Sequence, residues 1–491
     1  MRPHAVAAAL LLLGACTVGP DYQRPSAPVP AAYKEQAGWK VAAPADSADR
    51  GAWWSIYRDP MLDRLEHLVE IDNQTLKQAE AAYREAVAIV GEGRSGYYPT
   101  ITVGGSAERS QAAERSGGFG GGGNRIQNQL NVTANADWDL DVWGRIRRTV
   151  ESDVANAQAS AADLAGARLS AQATLASDYF QLRGADEQKR LLDSAAAAYA
   201  RSLRIARNQY AVGVAARSDV VTAETQLKTT QAQAIAVGVQ RAELEHAIAV
   251  LVGQPPAQLS IAMAPLAKDV PVVPPGVPST LLERRPDVAG AERQMAAANA
   301  QIGVVEAAYY PDITLSAAFG YASSTFGGFL QASNQLWSLG VDVAETAFDG
   351  GLRDAQVDAA RATYDQTVAS YRQTVLTGFQ QVEDELSTLR ILEQQAAAED
   401  TAVQSAREAE RLALNEYQAG TVAYTAVVTA QTTALGDEQT ALTIQQDRLV
   451  ASVGLVQALG GGRDASQLPA AQRLDASSST KPASGGMALA K

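Results

Sequence analysis

Cysteine is nearly absent: Cys16 is the only one in 491 residues. Internal disulfides and thiolate metal clusters are therefore excluded. Histidine is almost as scarce, and His4, His67 and His246 stand far apart, which speaks against a zinc site or a histidine-based triad. Positive charge is in deficit, with 41 Lys and Arg against 54 Asp and Glu, for a net charge of −13. That balance argues against a nucleic-acid partner and suits cationic solutes. No run of eighteen apolar residues occurs, so a membrane-spanning helix is not expected. The glycine run Gly117-Gly118-Phe119-Gly120-Gly121-Gly122-Gly123 lacks the Lys and Ser/Thr of a phosphate loop and reads as a polar linker. No nucleophile–base pair appears. An enzyme is disfavoured, and neither cofactor nor metal is called for.

What the chain does contain begins at its N-terminus. Arg2 precedes the short apolar stretch Ala5 to Leu13, and Gly14-Ala15-Cys16 follow. Residues 1–15 read as a secretory leader, too short to span a bilayer. Leu13-Gly14-Ala15-Cys16 resembles a bacterial lipobox, which implies acylation of Cys16; the alternative is an incidental cysteine. By the same resemblance, Thr17 in place of Asp implies the outer membrane.

Residues 16–59 are rich in Pro and Ala and predict an extended segment lying along the body, with Trp53, Trp54 and Tyr57 as packing residues. A first repeat spans 60–252: a helix over 60–90, a β-hairpin over 97–138, and a long helical hairpin turning near 213. A Pro-rich connector, short-stranded at best, fills 253–280. A second repeat spans 281–460, with a hairpin over 309–348 and a helical turn near 420. Residues 461–491 read as a flexible tail.

The repetition is explicit. Tyr97-Tyr98-Pro99 and Tyr309-Tyr310-Pro311 lie 212 residues apart, Gly144-x-Ile146-Arg147 and Gly350-x-Leu352-Arg353 lie 206 apart, and Asn208-x-Tyr210 and Asn415-x-Tyr417 lie 207 apart. This is an internal duplication. Each long helix of sixty-odd residues would reach roughly 100 Å. In the second repeat Val428, Leu435, Leu442, Leu449 and Val456 keep a seven-residue period, as do Val368, Val375, Val382 and Leu389. Sustained heptads predict antiparallel coiled-coil packing.

The four strands alternate. Leu130, Val132, Ala134, Ala136 and Trp138 face one way and Asn131, Thr133, Asn135 and Asp137 the other. Such strands fit either an outer-membrane barrel or a soluble sheet packed on helices. In lipid a sheet must close, and four strands are too few for one chain to do it. Two copies would give eight strands around a filled interior, whereas three give twelve around a lumen. The expected fold is a mixed α/β membrane protein whose four strands are a third of a trimeric twelve-stranded barrel.

The stretch Leu282-Glu283-Arg284-Arg285-Pro286-Asp287 with Ala291-Glu292-Arg293 resembles the bacterial outer-membrane efflux factors of the TolC and NodT type. Trp143-Gly144-Arg145-Ile146-Arg147, Phe348-Asp349-Gly350-Gly351 and the two Tyr-x-x-Gly breaks support the resemblance, which covers the chain from Cys16 to Gly460. It implies a homotrimer whose twelve-stranded barrel continues into a long periplasmic α-helical barrel, serving a periplasmic adaptor and a proton-driven inner-membrane pump of the resistance-nodulation-division class. It also implies that the hairpin tips, carrying Tyr210, Gly213, Val214, Tyr417, Gly420 and Thr421, dock the adaptor; a plain turn is the alternative. Members often carry an aspartate that gates the axis, but Thr429 holds that place here. Asp219 is the substitute candidate, with a helix cap as its alternative reading. Glu283, Arg284, Arg285, Pro286 and Asp287 read as an ion-paired helix start rather than a reactive centre. Two further readings are the duct of a protein-secretion system and a lipid-anchored scaffold with no pore.

Overall fold

The long helices, and the sheet they hang from, follow from two kinds of punctuation: capping residues and positive-φ glycines. A computed structural model describes residues 17–36, 52–111, 126–273 and 284–461. The leader, Cys16, the glycine run, Glu283 and residues 462–491 lie outside the described residues.

Helix α1 (Pro60–Asp72) starts on the Asp59 carboxylate, which accepts from the amides of Met61 and Leu62, and Pro60 occupies the first turn. The single helix expected over 60–90 is in fact two. Asn73 is extended, and its Oδ1 accepts from the Leu76 amide at 3.0 Å, opening α2 (Gln74–Ser95). Its Nδ2 donates to the Leu251 carbonyl at 2.7 Å. One side chain thus caps a helix and docks a distant one. Strands β1 (Thr100–Gln111) and β2 (Ile126–Asp139) pair antiparallel, and α3 (Arg145–Ala211) and α4 (Arg217–Leu251) form the first helical hairpin. The connector holds a 3-10 turn at Pro256–Gln258 and, among its described residues, no strand. Buried Asp186 fixes it, accepting from Arg183 at 2.9 Å, Arg241 at 2.7 Å and the Ala264 amide at 3.2 Å.

The second repeat restates the first: α5 (Pro286–Glu306), β3 (Asp312–Ser323), β4 (Gln335–Ala344), α6 (Leu352–Gln418) and α7 (Tyr424–Ala458). α3 and α6 have 67 residues each, and α4 and α7 have 35 each. Gly144 and Gly351, at φ 86° and 91°, are the residues that open the two long helices. The structural equivalent of Gly144 is therefore Gly351 rather than Gly350, and the offset is 207 from helix start to tip.

The strands form one antiparallel sheet in the order β1–β2–β3–β4. Near it the helices lie in the order α2–α3–α5–α6; toward the tips the order is principally α4–α3–α7–α6. Trp54, Tyr179, Phe180 and Tyr371 anchor the larger core, and Tyr199, Leu203, Tyr417 and Tyr424 a second one between the hairpins. The heptads pack as coiled-coil seams: Val375, Val382, Leu389, Leu435, Leu449 and Val456 are buried, and Val368, Val428 and Leu442 partly so.

The N-terminal segment is extended and strapped along this body. The Val18 amide donates to the Trp143 carbonyl at 3.0 Å. Arg148 reaches the carbonyls of Val18 and Gly19 and the Asp21 carboxylate, each at 3.1 Å. Asn299 donates to the Pro20 carbonyl, and Tyr22 to Glu292 at 2.6 Å. Further along, the Lys34 and Glu35 amides donate to Glu383. Gly19 crosses Gly303 so closely that a Cβ would stand 2.4 Å from its Cα.

Candidate functional site: the two-faced sheet and the hairpin tips

Register decides the chemistry of the sheet. Val103 pairs with Ala134, Ala134 with Phe319, and Phe319 with Trp337; Ile101, Ala136, Ala317 and Leu339 form the neighbouring row. Because side chains alternate, these rows share one face, and Thr102, Asn135, Ala318 and Ser338 share the other. The apolar face is uncovered: Val103, Trp337 and Leu339 are 75%, 69% and 77% exposed. Contiguous exposed apolar rows of this kind mark a surface that meets a membrane or another protein. Both edge strands, β1 and β4, also end the sheet without a partner strand among the described residues.

At the far end each long helix stops in the same motif. The Gly213 amide donates to the Tyr210 carbonyl and the Val214 amide to the Gln209 carbonyl, at 3.0 and 2.9 Å. Gly420 to Tyr417 and Thr421 to Glu416 repeat the pattern, at 3.0 Å each. Both glycines have φ 77°, the left-handed conformation this helix ending requires. Val214 and Tyr210 are exposed, and so is Thr421, whose hydroxyl donates to the Glu416 carbonyl at 2.9 Å. Tyr417 departs from expectation. It is buried, with its ring 5.0 Å from that of Tyr424, so its side chain fills the tip instead of facing a partner.

Asp219 is not the cap of α4, because that helix begins at Arg217 after Ala216; it lies in the first turn. Burial raises the phenol pKa of both Tyr417 and Tyr424, and the negative charge of Asp219 adds to each. Tyr424 is pushed up to about 12. Asp219 is therefore electrostatically coupled to the buried tyrosine pair of the other hairpin. Thr429 is exposed, and its hydroxyl donates to the Thr425 carbonyl at 3.0 Å.

Arg285 closes the helix start that the sequence singles out. Its Nε and Nη2 donate to the Asp287 carboxylate at 3.0 and 2.6 Å, and its Nη1 reaches Gln381 at 2.8 Å and the Ala458 carbonyl at 2.9 Å. Pro286 is the first residue of α5, and Arg284 borders an apolar groove with Trp53 and Leu459. Among the described residues no His, Cys, Asp and Glu grouping suits a metal ion, and no helix is long and apolar enough to cross a membrane.

Residues 66–254 and 277–461 match the family described as outer membrane efflux protein. The chain belongs to that family. Relatives include the toluene efflux pump outer membrane protein TtgF of Pseudomonas putida, 30% identical over 94% of this chain and 98% of the relative. The pyoverdine export outer membrane protein OpmQ of Pseudomonas aeruginosa is 29% identical over 94% and 97%. Among solved structures, the outer-membrane channel OprN superposes with a TM-score of 0.84 at 28% identity, covering 91% of this chain and 99% of that one. The fold of this outer membrane efflux protein is thus that of an outer-membrane channel subunit, with the four-stranded sheet as its share of the barrel.

Gln431 escaped sequence reasoning. It is buried between the hairpins, donating to Ser202 at 3.1 Å, while Tyr199 donates to its carbonyl at 3.1 Å. The signal was a divergence: at the 207-residue offset its counterpart is Glu224, an exposed residue. The strapping role of Arg148 left no such trace: its i,i+3 pair with Glu151 is local, while the Val18 and Gly19 carbonyls and the Asp21 carboxylate it also holds lie 130, 129 and 127 residues away.

Proposed function

We propose that three copies of this outer membrane efflux protein form the passive exit duct of a tripartite pump, carrying small toxic or amphiphilic solutes from the periplasmic side to the exterior. The observation that carries this reading is the uncovered apolar sheet face ending in two unpaired edges. Lipid satisfies the face, and neighbouring copies satisfy the edges. Three copies give twelve strands and leave a lumen lined by Thr102, Asn135 and Ser338. Relatives that serve toluene and pyoverdine export favour small solutes over protein cargo.

The partners on this reading are a periplasmic adaptor and an inner-membrane pump of the resistance-nodulation-division class. The exposed tip residues Tyr210, Gly213, Val214, Gly420 and Thr421 meet the adaptor. Asp219, beside Tyr417 and Tyr424, holds the entrance closed, and Thr429 supplies no charge at its level. The duct performs no reaction. Cys16 carries an acyl anchor, a reading supported by the position of Val18, two residues on, beside Trp143 between the end of β2 and the start of α3.

Reconstitution in planar bilayers tests the duct directly: the purified trimer conducts ions, and a sealed bilayer would leave only a scaffold. Adaptor and pump should copurify from the native membrane. For the anchor, the Cys16→Ser variant loses lipid labelling, and undiminished labelling would refute acylation at that residue.

A further inference from the structure

The charges of the sheet are sorted by face. Among the described strand residues the carboxylates are Glu108, Asp137, Asp139, Asp312 and Asp342, and all of them hold positions on the side of Thr102, Asn135 and Ser338. The only cation among those residues is Arg109 on β1, and register puts it on the other side, with Ile101, Val103 and Ala107. No other charge stands on that side from Ile101 to Ala107, from Leu130 to Trp138, from Ile313 to Tyr321 or from Trp337 to Val343. Beyond this apolar band the same side turns polar on every strand, at Arg109, Asn128, Ser323 and Gln335, and Arg109 stands directly opposite Asn128.

Depth explains why a charge is tolerated there. Arg109 lies eight residues beyond Ile101 on β1. At about 3.4 Å per residue and a strand tilt of about 35–45°, that places it about 20 Å above Ile101, at the margin of an apolar band about 25 Å tall. The helices join the sheet at the Ile101 end, so the Arg109 margin is the outer one. A cation on the lipid side is costly at the bilayer midplane and tolerated near the interface. Arg109 is exposed, and among the described residues it has neither a hydrogen-bond nor an ion-pair partner. Its guanidinium is thus presented to whatever borders the barrel at that height.

We infer that Arg109, with Asn128 beside it, binds a phosphate of lipid A, the phosphorylated glycolipid of the outer leaflet. The inference rests on the lipid-facing reading of the sheet given above and adds a headgroup contact at its outer rim. Charge and continuity identify the occupant. The apolar band already meets acyl chains, and in lipid A the phosphates sit where those chains join the sugars, directly above the band. A guanidinium suits phosphate because its planar fork donates two parallel hydrogen bonds. The Asn128 side chain offers a further donor for phosphate or sugar oxygens. On the same side Phe319 and Tyr321 meet at 6.0 Å between ring centroids, and Tyr321 and Phe329 at 6.5 Å. Aromatic rings at that height match the interfacial girdle of an outer-membrane barrel.

The contact is tested on protein purified from outer membranes in mild detergent, with the lipid A retained per folded protein measured by mass spectrometry. Arg109→Gln should retain about fivefold less lipid A than the wild type. Arg109→Lys should recover part of the loss, and Glu108→Gln, one residue away on the lumen side, should match the wild type. Added back to delipidated protein, bisphosphorylated lipid A should bind in preference to dephosphorylated lipid A. Equal retention by Arg109→Gln and the wild type overturns the contact, and so does equal binding of the dephosphorylated form. Preferential binding of phosphatidylglycerol would assign the rim to a phospholipid and overturn it as well. Conductance is measured on the same preparations. Conducting channels indifferent to Arg109 leave the duct standing without the lipid contact, whereas protein that holds lipid A through Arg109 but does not conduct keeps the contact and removes the duct.

Discussion

Arg285 and Ala458 are joined by a 2.9 Å hydrogen bond from guanidinium to carbonyl, across 173 residues of sequence. The bond ties the first turn of α5 to the last turn of α7, so the start of the second repeat is fastened to its end. The same guanidinium is held in a fork by Asp287 and reaches Gln381 on α6. Replacing Arg285 with Ala leaves the buried Ala458 carbonyl without its donor, and removes the donor to the Gln381 amide oxygen and to the Asp287 carboxylate. A loss of about 2–4 kcal/mol is expected, read as a lower unfolding temperature of the detergent-solubilised protein. Arg285→Lys should recover only part, since an ammonium cannot reproduce the fork.

Glu66 gives a pH-dependent prediction. It is fully buried, neither oxygen has a hydrogen-bond partner among the described residues, and burial together with nearby Glu70 and Asp63 pushes its pKa up to about 9. The folded value lies above the unfolded one of about 4.3. The neutral group is therefore at its most favourable below the lower value, and that stability is lost as pH rises toward 9, by at most about 1.4 kcal/mol per pH unit. Glu66→Gln should remove this slope and raise thermal stability at neutral and alkaline pH. Identical melting curves for the two proteins between pH 5 and 9 would show that Glu66 does not hold its proton.

The tip glycines separate backbone strain from contact. A Cβ at Gly213 or Gly420 meets nothing within 4 Å, yet both residues sit at φ 77°. Gly213→Ala and Gly420→Ala should each destabilise the local turn by about 1–2 kcal/mol with no effect on the barrel. Faster amide exchange confined to the tips is the expected readout.

The two faces of the sheet predict opposite responses to one kind of substitution. Leu339→Arg places a charge in lipid and should cost about 2–4 kcal/mol near the bilayer midplane, visible as loss of folded trimer from the outer-membrane fraction. Ser338→Arg, one residue away on the lumen side, should leave assembly intact and change single-channel conductance. Equal assembly of both variants would contradict the assignment of faces.

Periodicity and punctuation made much of this legible from the chain itself. Alternation from Leu130 to Trp138, the glycines at 213 and 420, and the doubled Tyr-Tyr-Pro each act through neighbouring residues, and local order is what a sequence displays. The break at Asn73 was hidden, because its side-chain amide is satisfied by Leu251, 178 residues later. The burial of Tyr417 was hidden likewise. Its twin Tyr210 has the same spacing to its glycine and is nevertheless exposed, since only the second tip is packed on by Tyr424. Duplication fixed the length of the helices and the chemistry of the strands. Which copy of each repeated residue is buried, and which helices are left bare on their outer side, depended on how the two repeats lie against each other. That contact spans some two hundred residues of chain, and no local pattern encodes it.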